Sequence, residues 1–150
     1  MPIHIDELPC GGGLIGLCPE PRGDEIAEVA QWKPDTVLSL VEDGTTLAAG
    51  FAQAGIRWLH LPIPDYGVPD RHGSARWDRE IAPVLHDVLS GGGRLLIHCR
   101  AGCGRTGMIV LRLMIERGEV VGEALPRLRQ ARPCAVETAA QLNWAAGAAR

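Results

Sequence analysis

The chain has 150 residues, a formal charge of −3 at pH 7, 46% hydrophobic and 22% charged residues. That length suits a single domain, residues 1–150, with a real core, and the balance excludes wholesale disorder. No run approaches the ~20 apolar residues of a membrane span. The N-terminal stretch carries Asp6 and Glu7 and lacks a basic-then-apolar leader pattern, so no membrane association and a cytoplasmic location are expected.

Charge is unevenly spread. Residues 1–65 hold 3 basic and 10 acidic side chains, residues 66–150 hold 12 and 8, and the only Lys is Lys33. The Arg residues are scattered and the aromatics are few (4 Trp, 1 Tyr and 1 Phe), which excludes a nucleic-acid patch. Five cysteines, Cys10, Cys18, Cys99, Cys103 and Cys134, form an odd set without a leader, predicting reduced thiols and no disulfide scaffold. With no C-x-x-C and five isolated His, no metal site is expected.

In chain order, residues 14–18 read as a short strand. Asp24 is placed to cap a helix carrying Ile26, Val29 and Ala30, which Pro34 stops. Residues 36–41 form a buried strand. Leu47, Phe51 and Ala54 mark a second helix, and residues 56–61 the next strand, closed by Pro62 and Pro64. Trp77, Ile81, Val84, Leu85 and Val88 give an amphipathic helix over about 74–89, which Pro83 should kink or delay. Residues 94–98 form a further buried strand, followed by a Gly-rich turn and an apolar helix over about 105–117. Residues from about 122 to 132 and 137 to 149 are helical. Trp58 and Trp77 suit core positions. Such alternation predicts an α/β domain with a mostly parallel central sheet of about four to five strands flanked by helices.

The stretch Ile97-His98-Cys99-Arg100-Ala101-Gly102-Cys103-Gly104-Arg105-Thr106-Gly107 carries the chemistry. A strand ends at His98 and a helix begins near Arg105. A strand–loop–helix turn of this kind aims consecutive backbone N–H groups inward, and the helix N-terminus adds the positive end of its dipole. Arg100, Ala101, Gly102, Cys103, Gly104 and Arg105 thus form an anion cradle, with Gly102 and Gly104 permitting the sharp course. Cys99 sits at its base, where a thiol is expected to ionise readily. Arg105 can return over the loop and grip two phosphate oxygens.

HCRAGCGRTG resembles the H-C-x5-R-[ST]-G signature of cysteine-dependent protein tyrosine phosphatases. The rest of the chain is similar to their small atypical dual-specificity members and to kinase-associated phosphatases. Leu61-Pro62-Ile63-Pro64-Asp65 resembles their general-acid loop, Arg132-Pro133-x-x-Val136-Glu137-Thr138 with Gln141 their C-terminal motif, and Leu14 to Pro19 their substrate-side strand.

The resemblance implies hydrolysis of phosphotyrosine, with phosphoserine and phosphothreonine also open as substrates, on a phosphorylated protein or peptide. Cys99 would attack phosphorus and Asp65 would protonate the leaving group, then activate water against the phosphocysteine. Arg105 and the N–H groups would hold the equatorial oxygens. Thr106 Oγ would donate to the Cys99 sulfur, and His98 would bond nearby backbone and orient the loop. Glu137 and Gln141 are candidates to place water or line the pocket. No cofactor or metal is implied, and a monomer is expected.

Several alternatives stay open at this point. Asp70 competes with Asp65 as the acid. Cys103 stands where the family usually has an aliphatic or aromatic residue. It is a small space-filler or a second thiol that traps oxidised Cys99, with Cys10, Cys18 and Cys134 as rival partners. His60 and His72 flank the acid loop as ordinary surface or core groups. Other functions for the scaffold are a phosphoinositide or RNA 5′-phosphatase, a non-catalytic phosphate-binding module, and a rhodanese-like sulfurtransferase. The last is disfavoured by the Arg105-Thr106-Gly107 ending.

Overall fold

The computed structural model describes residues 3–149. Five strands form one sheet: β1 (Asp6–Cys10), β2 (Gly13–Cys18), β3 (Thr36–Ser39), β4 (Arg57–His60) and β5 (Arg94–His98). Their order across the sheet is β1-β2-β5-β3-β4; β1 and β2 run antiparallel and every other pair is parallel. Crossovers between parallel strands need helices, and these cover both faces. The helices are α1 (Ile26–Trp32), α2 (Thr45–Gln53), α3 (Arg71–Arg76), α4 (Ala82–Ser90), α5 (Gly104–Glu116), α6 (Val121–Ala131) and α7 (Ala139–Ala146).

Strand β5 lies at the centre because both of its faces are apolar. Leu95 and Ile97 join Leu85, Trp77 and Met108 on one side of the sheet, and Leu96 joins Val29, Val37 and Phe51 on the other. Helix α5, which leaves the end of β5, is buried on nearly every side. The strand end and the helix start are thereby held rigidly, and the loop between them inherits that rigidity.

Local chemistry departs from the sequence expectations at several places. β1 is an additional strand; Pro9 lies within it, and as an edge strand it tolerates the missing N–H. Asp24 lies inside a 3-10 turn (Gly23–Glu25) rather than capping α1, and α1 ends on Lys33 in the left-handed region, one residue before Pro34. The segment expected as one kinked helix is α3, a π-helical turn over Trp77–Ile81, and α4. Pro83 sits in the first turn of α4, where its missing N–H is tolerated, and the wider turn before it absorbs the ring's clash with the preceding carbonyl. α7 begins at Ala139, capped by Thr138, whose hydroxyl accepts from the Gln141 N–H.

Candidate active site

The Cys99–Thr106 turn connects β5 to α5, so its position follows from the centre of the sheet. Gly102 has φ +75°, a left-handed conformation that only glycine adopts freely, and a side chain there would run into the Cys18 carbonyl. Gly104 opens α5 with no room for a Cβ, which would overlap the Glu137 carboxylate. Among the described residues, no backbone N–H from Arg100 to Thr106 donates to an acceptor of the chain. The first N–H groups of a helix lack intrahelical partners, and here the loop adds its own. The result is a run of unspent donors at the positive end of a long buried helix.

Cys99 lies at the base, 2% exposed. Its carbonyl is held by His98 through a directional chain. Trp58 Nε1–H donates to Ser39 Oγ at 2.8 Å, Ser39 Oγ–H donates to His98 Nε2, and His98 Nδ1–H donates to Cys99 O at 3.1 Å. A carbonyl only accepts, which assigns the proton to Nδ1 and leaves Nε2 as the acceptor. Burial pushes the His98 pKa down to about 4, so the ring is neutral at pH 7 and the chain is satisfied in one direction. Orientation of the loop through His98 was legible from the sequence. Ser39 and Trp58 were not, because Ser39 lies 59 positions from His98 and Trp58 lies 19 from Ser39, and the chain closes only when β3, β4 and β5 align.

Arg105 is 4% exposed and reaches across to the loop after β4. Its Nη1 donates to Ile63 O at 2.9 Å and its Nη2 lies 3.2 Å from Asp65 Oδ1. Its Nε is buried without a hydrogen-bond partner. A tight turn, closed by Gly67 N–H on Pro64 O at 2.8 Å, presents Asp65 toward the guanidinium. Asp70 is committed elsewhere: its carboxylate caps α3 by accepting from Gly73 N–H at 2.7 Å. Of the two loop carboxylates, the structure brings Asp65 to Arg105. His72 is exposed, and His60 bonds Val41 O and stacks on Trp58.

Thr106 Oγ1 is buried and has no hydrogen-bond partner, so the expected donation to the Cys99 sulfur is absent. Gln141 is fully buried. Its Oε1 accepts from Glu137 N–H and Thr138 N–H, and its Nε2 donates to Gly67 O at 3.2 Å, tying the start of α7 to the acid loop. Glu137 is exposed beside Gly104.

Cys103 differs from every expectation that left it free. It forms a disulfide with Cys134, with Cα atoms 5.1 Å apart, and does not face Cys99. A loop wrapped around an anion turns its side chains outward, and the outward side is where the segment after α6 passes. Cys10, Cys18 and Cys99 are free and buried. Burial pushes the Cys18 thiol up to about 12.

In front of this assembly opens a cavity of about 510 Å³, lined by Arg100, Arg105 and Asp65 and by an acidic wall of Glu20, Glu42 and Asp43. The Thr45 N–H and hydroxyl hold the Asp43 carboxyl below the usual carboxylate range, so it stays charged.

The site thus sets a buried cysteine, a run of unspent N–H groups, a buried arginine and a carboxylate around one turn. Residues 17–119 match the family model described as polymorphic toxin system, DSP-PTPase phosphatase, and the chain belongs to that family. It is 31% identical over 147 residues to human receptor-type tyrosine-protein phosphatase H, covering 91% of this chain and 12% of that protein. It is 35% identical over 97 residues to rat cyclin-dependent kinase inhibitor 3, covering 63% and 44% respectively. It thus spans less than half the length of these curated relatives. Among solved structures, kinase-associated phosphatase with its catalytic-site cysteine replaced by serine superposes with a TM-score of 0.83 at 25% identity, covering 97% of this chain and 93% of that one.

Proposed function

We propose that the chain hydrolyses phosphotyrosine, and shorter phosphorylated side chains more slowly, in proteins through a phosphocysteine intermediate. The observation that carries this reading is the unspent donor set: the free backbone N–H groups from Arg100 to Thr106, joined by the buried, unpartnered Nε of Arg105. A phosphoryl group offers three equatorial oxygens to such a set, and their charge grows in the transition state.

Cys99 Sγ attacks phosphorus from the base as the leaving oxygen departs on the opposite side. Asp65, on the loop that faces Arg105, delivers its proton to that oxygen. Phosphate oxygens replace the Asp65 carboxylate on the guanidinium, which frees Asp65 for the leaving group. Water then attacks the phosphocysteine with Asp65 as base. Glu137 and Gln141 stand beside Gly104.

The acidic wall favours a protein substrate over a phosphoinositide. Glu20, Glu42 and Asp43 repel additional phosphates and attract cationic side chains that flank a phosphorylated residue. The test is a panel of phosphotyrosine, phosphoserine and phosphothreonine peptides of matched sequence, with Arg or Glu flanks, beside phosphoinositide vesicles. Arg-flanked phosphotyrosine should turn over fastest, and Glu42→Lys should narrow the gap between flanks. Faster turnover of the vesicles would replace this reading with the lipid one. Cys99→Ser should abolish turnover and retain phosphate binding.

A further inference from the structure

The outer side of the phosphate loop is held by a segment far along the chain. N–H groups that point inward leave the carbonyls of the same peptides pointing out. The Arg132 guanidinium collects two of these: Nε donates to Gly102 O and Nη2 to Ala101 O, each at 2.8 Å. Its Nη1 donates to Asp6 Oδ2 at 2.8 Å, which anchors the fork to β1. Two residues on, Cys134 is covalently bound to Cys103, the residue immediately before α5. The residues that follow Cys134 are themselves fixed to α6, where Arg129 donates to Ala135 O and Val136 O at 2.9 Å. Three successive loop residues, Ala101, Gly102 and Cys103, are therefore gripped from outside by one rigid turn.

We infer that Arg132 and the Cys103–Cys134 bond are a positioning device that keeps the phosphate loop in its anion-binding form, and that opening the bond weakens phosphate binding. Neither residue touches the phosphate; both act through the peptides that do. The inference rests on the phosphate-binding reading of the loop given above. Cys134 is exposed and Cys103 partly so, which leaves the bond open to a soluble dithiol. In that exchange the dithiol supplies two electrons and two protons. The S–S bond breaks to two protein thiols and the reductant closes to its cyclic disulfide. The direction is opposite to inactivation of a nucleophilic cysteine by peroxide: here the oxidised form binds phosphate better. With Cys103 already bonded, it also has no thiol to trap oxidised Cys99, so such trapping first requires this reduction.

The test separates binding from turnover by using the full chain carrying Cys99→Ser. Inorganic phosphate affinity is measured by calorimetry before and after treatment with dithiothreitol, with thiol counting by alkylation. Reduction should raise the phosphate Kd by roughly 5- to 50-fold, the scale of a modest misplacement of positioned groups. Cys134→Ala should show the weak value in both conditions, and Cys10→Ala should respond to dithiol as its parent does. Arg132→Ala should weaken binding further, and Arg132→Lys should not restore it, because an ammonium cannot span two carbonyls. In the chain with Cys99 intact, reduction should raise KM for an aryl phosphate more than it lowers kcat. A phosphate Kd unchanged on reduction, with only a lower melting temperature, would make the bond a mere staple and overturn the inference. If Cys134→Ala does not fold, dithiol titration of the parent chain decides by itself. If the intact chain hydrolyses no phosphomonoester but phosphate binding still responds to dithiol, the catalytic reading fails and the brace stands.

Discussion

Ser39→Ala isolates the chain that orients the loop. Ser39 and His98 are fully buried, and the serine hydroxyl is at once the acceptor for Trp58 N–H and the donor to His98 Nε2. Removing it strands the buried imidazole nitrogen, at about 1–3 kcal/mol for an unsatisfied buried group. The Trp58 N–H is only partly buried and can recruit water, adding less, about 1 kcal/mol or under. The expected loss is about 2–3 kcal/mol, or roughly 4–12 °C in Tm for a chain of this size. Trp58→Phe should cost about 1 kcal/mol, since Ser39 keeps its bond to His98. The double variant should fall short of the sum, because the first change has already orphaned the indole. Urea unfolding at pH 7, with an unchanged m-value, measures each term. Turnover should also drop, because the His98 ring then holds the Cys99 carbonyl less firmly. A Ser39→Ala variant within about 0.5 kcal/mol of the parent, or strict additivity with Trp58→Phe, would refute this account.

Four further outcomes are expected. Arg105→Lys should be nearly as inactive as Arg105→Ala, since a point charge cannot bond Ile63 O and a phosphate edge in one plane; kinetics within a few-fold of the parent would refute the planar grip. Asp65→Asn should lower kcat by roughly 10²–10⁴ on poor leaving groups and by much less on a dinitrophenyl ester. Asp70→Ala should instead cost about 1 kcal/mol of stability through its lost helix cap, with a near-normal rate; the reverse pattern would exchange the two roles. His98 has its pKa depressed from 6.5 to about 4, so as pH falls the unfolded chain takes up this proton first. Its contribution is whole above about pH 6.5 and is lost toward pH 4, roughly 3 kcal/mol over that window. Denaturation midpoints of the parent minus those of His98→Asn should follow that slope, and a flat difference would contradict it.

Much of the site was legible because its parts are contiguous. His98, Cys99, Gly102, Gly104 and Arg105 lie on one strand–loop–helix turn, where local geometry alone leaves a run of N–H groups without acceptors. Asp65 was favoured over Asp70 only through the proline-bounded segment around it, and the structure adds that Asp70 is spent on a helix cap while Asp65 faces Arg105. The hydrogen bond expected from Thr106 to the Cys99 sulfur is not made, and Cys103, expected free, is bonded to Cys134. Both depend on where a side chain points out of a curved loop, which residue type and spacing do not encode.

Apolar periodicity, β-branched runs and glycine placement along the chain were enough to determine an α/β domain with a buried strand over residues 94–98 and a Gly-rich strand–loop–helix turn at its end. These follow from interactions between near neighbours and from the need to bury two faces of one strand. Tertiary structure alone decided what supports the cradle. Strand alignment brings Ser39 and Trp58 to His98, and the return of the chain after α6 brings Arg132 and Cys134 to the outer side of the loop. Those partners lie 19 to 59 positions from the residues they hold, and a hydrogen bond or disulfide at that separation exists only once the packing of the whole domain has closed the distance.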